Sequence, residues 1–369
     1  MARIAVDVNP ATREIATGTE VYTREVCSRL FRLAPDLSWT FFASRPAIGL
    51  GFDVTVAPFR RMWSQVRLPL ALAAGHPDLL FVPAHSVPFA WPGRALTVVH
   101  DLAFERHPEA YSLRERTLLQ LTTRWAVSRC PLLIAVSEST KHDLVSLYGA
   151  APERVRVVPN GGGEPPSVQA APESRLQSLG IEGDFVLQVG RVEARKNQTA
   201  ALAAVERLDG VTLVVAGPER DRAITARLRA SPRSRLLGLV DRPTLELLYA
   251  RARAVVVPSL YEGFGMPVVE AMARGQVVVA ARNSSLPEAG GDAAVFVDDP
   301  NDADALAGAL RKAIAASPER EARARQSKQH AGQFTWDRCA SGVLAVIREL
   351  TASPPRRSPA TSARRSDPS

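Results

Sequence analysis

Cysteine, aromatic residues and long apolar runs are all scarce in this chain, and each shortage removes a class of protein. Only Cys27, Cys130 and Cys339 occur among 369 residues, far apart and without metal-ligand spacing. They exclude a disulfide scaffold or a zinc module and read as small buried hydrophobes of a cytosolic protein. No apolar run approaches the roughly 18 residues of a membrane span. The chain opens directly into a strand at Ile4 without a signal peptide, so a soluble or at most peripheral protein is expected. The lysine-containing P-loop that cradles ATP or GTP is missing, and so is a DxD metal motif; Asp298-Asp299 and Asp302–Asp304 fit a helix start instead. No metal ligands are therefore assigned. Aromatics make up 6% of the residues, while alanine and valine abound, which suits helices packed on parallel sheets.

The charge is +8 at pH 7. Part of it lies in a tail after Thr351, where Arg356, Arg357, Arg364 and Arg365 face one acid, Asp367. Residues 352–369 carry no periodic apolar positions and read as a disordered basic tail. The remaining surplus is diffuse, which suits phosphates or anionic headgroups and argues against nucleic acid.

Apolar runs and amphipathic stretches alternate along the chain, and the alternation occurs twice. Strands are predicted at 3–8, 39–43, 53–57, 79–83, 95–100, 132–136 and 155–159, with helices at about 20–34, 113–127 and 138–148. Asn160-Gly161-Gly162-Gly163 and Pro165-Pro166 form the clearest hinge. After it come strands at 185–189, 212–216, 235–240, 255–257, 277–281 and 294–297, with helices between and beyond. The pattern predicts an α/β protein of two doubly wound, Rossmann-like domains facing a cleft. The first covers 1–165 and is completed by a helix at about 335–350; the second covers 172–333.

The central stretch runs from Ala254 to Gly275. A buried strand ends in a loop with two glycines, and a helix follows, so the junction lies where open sheets hold ligands. Glu262 sits in the loop and Glu270 eight positions later in the helix, with Gly263, Gly265 and Pro267 shaping the turn between. Singly, either acid reads as a solvated residue; together they mark a cleft. At the end of the 185–189 strand, Gly190, Arg191, Lys196 and Asn197 place two cations beside a helix start, a site for a diphosphate. Gly18 stands at the first strand-to-helix junction, and His100-Asp101 ends another strand of the same domain.

One further segment, 59–75, mixes Arg60, Arg61 and Arg67 with Met62, Trp63, Val66 and Leu68. A basic amphipathic helix with a Trp suits a membrane face or an acceptor groove. Equally, it suits a helix covering its own sheet with arginines reaching out to water.

EGFGMPVVEA, GRVEARKN, VHDLAFERHPEAYS, VSESTKHDL, VVPNGG and SSLPEAGGDAAVF together resemble the retaining nucleotide-sugar glycosyltransferases of family 4, which have the GT-B fold. The resemblance covers nearly the whole chain to about Leu350, and the family's E-x7-E pattern falls on Glu262 and Glu270. It implies that Arg191 and Lys196 hold the donor diphosphate, that Glu270 binds the ribose, and that Glu262 holds sugar hydroxyls with the amides around Phe264, Gly265 and Met266. It further implies that His100 contacts the sugar near the reacting carbon with support from Asp101, and that Gly18 lies against the phosphates; Asn160 and Ser137 are weaker transfers. Where relatives carry a second glycine, this chain has Thr17-Gly18-Thr19-Glu20, and Glu20 beside a diphosphate is unfavourable unless it points away or meets an acceptor hydroxyl.

The expected activity is metal-independent, retaining transfer of a hexose to a hydroxyl of a saccharide or lipid-linked acceptor, in the cytoplasm or at the inner face of its membrane. Segments such as DLAFERHPEAYS are similar to those of mannosyl-transferring members, which favours GDP-mannose over UDP- or dTDP-sugars. A non-catalytic sugar-nucleotide-binding protein, a sugar-nucleotide epimerase on the same fold and a phosphorylase remain as alternatives.

Overall fold

A computed structural model of the chain describes residues 1–13, 18–47, 49–59 and 62–352. Two all-parallel sheets organise them. The first holds β1 (Arg3–Asp7), β2 (Ser38–Ala43), β3 (Val54–Val56), β4 (Leu79–Val82), β5 (Ala95–Val99), β6 (Leu133–Ala135) and β7 (Val155–Val157), in the order β3-β2-β1-β4-β5-β6-β7. The second holds β8 (Asp184–Val189), β9 (Val211–Ala216), β10 (Ser234–Gly238), β11 (Ala254–Val257), β12 (Val278–Ala281) and β13 (Val295–Val297), ordered β10-β9-β8-β11-β12-β13. Strand order reverses between β1 and β4 and again between β8 and β11, with Ile4 opposite Leu79 and Val255 opposite Leu187. Such reversals open a crevice at the carboxyl ends of the strands.

The central strands are continuous apolar runs because helices cover both faces. Every residue of β4, β5, β11 and β12 is buried. Local chemistry sets the helix ends. Ser112 and Glu115 form a capping box at Leu113–Arg129, while Ser137 caps Glu138–Tyr148, which Gly149 closes in the left-handed region. Helix Trp336–Ala352 packs on helix Gly18–Leu33 and buries Val343 and Ile347. The chain therefore crosses between the sheets twice, and the crossings lie side by side. Gly163 N–H donates to Phe334 O at 2.8 Å, and the Glu164 carboxylate accepts from the amides of Gly162 and Trp336.

Helix Arg222–Ala230 has no counterpart in the sequence reading. It carries three arginines against the buried pair Thr225 and Leu228, and Asp221 starts it by accepting from the amides of Ala223 and Ile224. The short helices Ala103–Arg106 and Leu286–Gly290 fall within stretches expected as loops.

The 59–75 segment differs in form, and its tryptophan follows the reading of a helix that covers its own sheet. A π-helical turn, Trp63–Arg67, leads into helix Leu68–Gly75. Trp63 is buried, with its indole N–H donating to Ala57 O at 2.8 Å, and Leu68 and Leu72 are buried beside it, so this face covers its own sheet. Met62 and Leu70 stay exposed, whereas Arg60 and Arg61 lie outside the described residues.

Candidate active site

The two switch points face each other across a cavity of about 420 Å³. Its walls bring together Gly18, His100, Asp101 and Asn160 from the first unit, and Gly190, Arg191, Lys196, Glu262, Phe264, Gly265, Met266, Pro267 and Glu270 from the second. Residues up to 252 positions apart thus converge on one cleft. Ser137 is not on its wall; it holds the Gly263 carbonyl from behind, donating through Oγ at 2.6 Å.

Glu262 is the most constrained charge in the cleft. Its carboxylate accepts from Lys196 Nζ at 2.6 Å and Ser259 Oγ at 2.7 Å, with Arg195 Nη1 at 3.4 Å. Ser284 Oγ accepts from its amide and Ser285 Oγ donates to its carbonyl, both at 2.9 Å. Burial pushes its pKa up, but the Lys196 and Arg195 charges and these hydrogen bonds outweigh that and bring it down to about 2. It is an anion throughout the physiological range. Lys196 is therefore engaged by Glu262, while Arg191 has no ion pair among the described residues.

Arg195 was not singled out in sequence, although it stands inside GRVEARKN. It donates to Tyr261 O at 2.6 Å and to Glu193 Oε1 at 2.8 Å, tying the β8 loop to the β11 loop. Glu20 is buried, Arg13 donates to it at 2.8 Å, and its charge acts on His100.

On the opposite wall, His100 donates Nε2–H to Pro83 O at 2.7 Å, since a carbonyl can only accept. Burial lowers its pKa, so the ring is held neutral, and Nδ1 is left as its acceptor with no hydrogen bond among the described residues. Asp101 Oδ1 accepts from the Ala103 amide at 3.1 Å. His85 lies behind this pair with φ 66°, and burial lowers its pKa to about 4. Asn160 is buried, and its Oδ1 has no partner among the described residues.

The two halves meet through main chain as well as side chains. A Cβ on Gly263 would overlap the His100 carbonyl oxygen, so only glycine lets the loops touch. Gly265, at φ 97°, turns the chain into helix Met266–Ala273, whose first amides have no acceptor within the helix. Tyr261 OH donates to Asp143 Oδ2 at 2.8 Å and accepts from the Leu102 amide at 3.3 Å. The Glu288 carboxylate accepts from the amides of Glu138 and Ser139 at 2.7 and 2.8 Å. Glu270, at the far end of the cleft, accepts from Tyr249 OH at 3.0 Å and Arg242 Nη1 at 3.3 Å.

Two parallel-sheet units around a cleft, with paired acids and cations at the second switch point, define the GT-B architecture. Comparison with known proteins agrees. The family model for glycosyl transferases group 1 matches residues 175–330, and that for glycosyltransferase family 4 matches residues 16–161. O-antigen chain mannosyltransferase B of Escherichia coli is 29% identical over 271 residues, 70% of this chain and 71% of the relative. A D-inositol 3-phosphate glycosyltransferase of Mycobacterium avium is 33% identical over 246 residues, 61% of this chain and 57% of the relative. Among solved structures, a sucrose-phosphate synthase of Thermosynechococcus elongatus superposes with a TM-score of 0.74 at 20% identity, covering 95% of this chain and 100% of that one. HepE of Anabaena in complex with UDP-glucose gives 0.74 at 19% identity with the same coverage. The chain belongs to the GT-B glycosyltransferases related to group 1 and family 4. It is a retaining-type enzyme that transfers a sugar from a nucleotide-sugar donor to an acceptor.

Proposed function

We propose that the donor is GDP-mannose and that the transferred sugar goes to a hydroxyl of a saccharide or lipid-linked acceptor without a metal ion. The observation that carries the assignment of roles is the Lys196–Glu262 pair beside Arg191, which has no ion pair among the described residues, facing His100 and Asp101 across the cleft. Two relatives, O-antigen chain mannosyltransferase B and the serotype-specific mannosyltransferase WbdA of Escherichia coli, support mannose. Among the described residues, no group of three or more His, Cys, Asp or Glu is placed to hold a metal.

In this reading residues 172–333 bind the donor, and residues 1–165, completed by the last helix, bind the acceptor. Arg191 and Lys196 neutralise the departing diphosphate, with Gly18 and Gly190 letting main chain approach it. Glu262 and the amides at Phe264, Gly265 and Met266, set by Pro267 at the helix start, hold the sugar hydroxyls, and Glu270 binds the ribose. His100, supported by Asp101, offers an acceptor atom beside the reacting carbon. The bond from that carbon to the phosphate oxygen breaks as the acceptor oxygen bonds the same face, and the departing phosphate oxygen takes the acceptor's proton. Configuration is kept, and closure of the cleft excludes water.

No described helix is long and apolar enough to cross a membrane. Exposed Met62, Leu70 and Phe89 favour peripheral contact at the inner face of the cytoplasmic membrane. The test is a panel of GDP-, UDP- and dTDP-sugars with EDTA present, reading nucleoside diphosphate release and the anomeric configuration of the product by NMR. GDP-mannose consumed with retention supports the proposal; inversion, a requirement for added divalent metal, or preference for another nucleotide defeats the corresponding part.

A further inference from the structure

Glu270 is braced by groups that the donor reading leaves unused. Tyr249, on helix Arg242–Arg251, is completely buried and donates its hydroxyl to Glu270 Oε2 at 3.0 Å. Burial, and then the neighbouring Glu270 charge, raise its phenol well above the ordinary range, so it stays a donor. Arg274 lies 5.5 Å from the Tyr249 ring centroid and donates to the Glu270 carbonyl at 2.9 Å. Both oxygens of the buried Glu246 accept from Arg274 at 2.6 Å. The ring therefore has little freedom to leave Glu270. Arg242 reaches Oε1 at 3.3 Å from the cleft wall.

A carboxylate offers about four acceptor positions, two on each oxygen. Tyr249 occupies one on Oε2 and Arg242 one on Oε1, which leaves each oxygen one further acceptor position. Two vicinal hydroxyls fit that pair of positions. We infer that Tyr249, held by Arg274 and Glu246, is a positioning residue that fixes Glu270 for bidentate recognition of the donor's 2′- and 3′-hydroxyls, making the enzyme selective for ribonucleotides over 2′-deoxyribonucleotides. This rests on the ribose role proposed above for Glu270, and it argues against dTDP-sugars as donors.

The test is calorimetric titration of the full chain with GDP, UDP and their 2′-deoxy counterparts. Wild type is expected to prefer the ribonucleotide by about tenfold or more, the effect of one hydrogen bond to a charged group. Tyr249→Phe keeps the ring under Arg274 but frees the carboxylate. It should weaken the ribonucleotide, which has two hydroxyl contacts to lose, severalfold more than the deoxynucleotide, which has only the 3′-hydroxyl, so that the ratio falls towards one. A wild-type circular dichroism melt serves as the control for correct folding. Equal losses for both nucleotides, or a ratio untouched by Tyr249→Phe yet abolished by Glu270→Ala, would overturn the positioning role alone. A wild type without preference, or a preference that survives Glu270→Ala, would overturn the ribose reading and this inference with it.

Discussion

Replacing Glu262 by Gln removes one charge and almost no volume from the cleft, so its consequences can be worked from the contacts. The folded protein holds this carboxyl at about 2 against an ordinary 4.5. Linkage makes that displacement worth about 3 kcal/mol of folding stability at neutral pH. A depressed acid contributes fully above 4.5 and loses its contribution as pH falls through about 2. Glu262→Gln should therefore be about 3 kcal/mol less stable at pH 7, since the amide leaves Lys196 without its anion and Arg195 with Glu193 but not Glu262. The gap should narrow steadily below pH 4.5 and close near pH 2, where wild type carries a neutral carboxyl too. Urea unfolding followed by tryptophan fluorescence from pH 7 to pH 2 measures this. A deficit under 1 kcal/mol at pH 7, or one that stays constant with pH, would refute the argument that the two cations stabilise the anion.

Arg191→Ala, which breaks no ion pair among the described residues, should shift stability by no more than about 0.5 kcal/mol while lowering turnover roughly 10²-fold or more; Lys196→Ala should lower both, as parallel melts and assays would report. Gly263→Ala places a methyl group against the His100 carbonyl, so the halves cannot close; transfer should be lost while the circular dichroism spectrum stays native. Below pH 6.5 the unfolded chain protonates His85 more readily than the folded one, whose value is about 4, so stability falls as pH drops through that window. His85→Asn, which tolerates φ 66°, should flatten that part of the melting-temperature profile.

Parallel strands buried on both faces write themselves as continuous apolar runs, which is why β4, β5, β11 and β12 are legible in the sequence. The same holds for Glu262 and Glu270, whose loop and helix follow such a run. Pairing was not legible. Sequence treats Lys196 as a phosphate ligand and Glu262 as a sugar ligand, and only the fold brings their charged atoms to 2.6 Å. Arg195 was hidden for a similar reason, because its partners Tyr261 and Glu262 come from a different strand end. Tyr249 reads as one more apolar helix residue, and its hydroxyl acquires a role only where helix Arg242–Arg251 meets Glu270. Trp63 shows where the pattern stops: the amphipathic segment suits either an outer face or its own sheet, and the fold turns the indole inward.

The most direct test of sugar transfer in this cleft is nucleoside diphosphate release under EDTA by wild type, Glu262→Gln and Lys196→Ala assayed together. The account predicts turnover of one nucleotide-sugar by wild type, with transfer to added acceptor and near-complete loss in both variants. Tight donor binding with no turnover, or turnover that survives both substitutions, would contradict it.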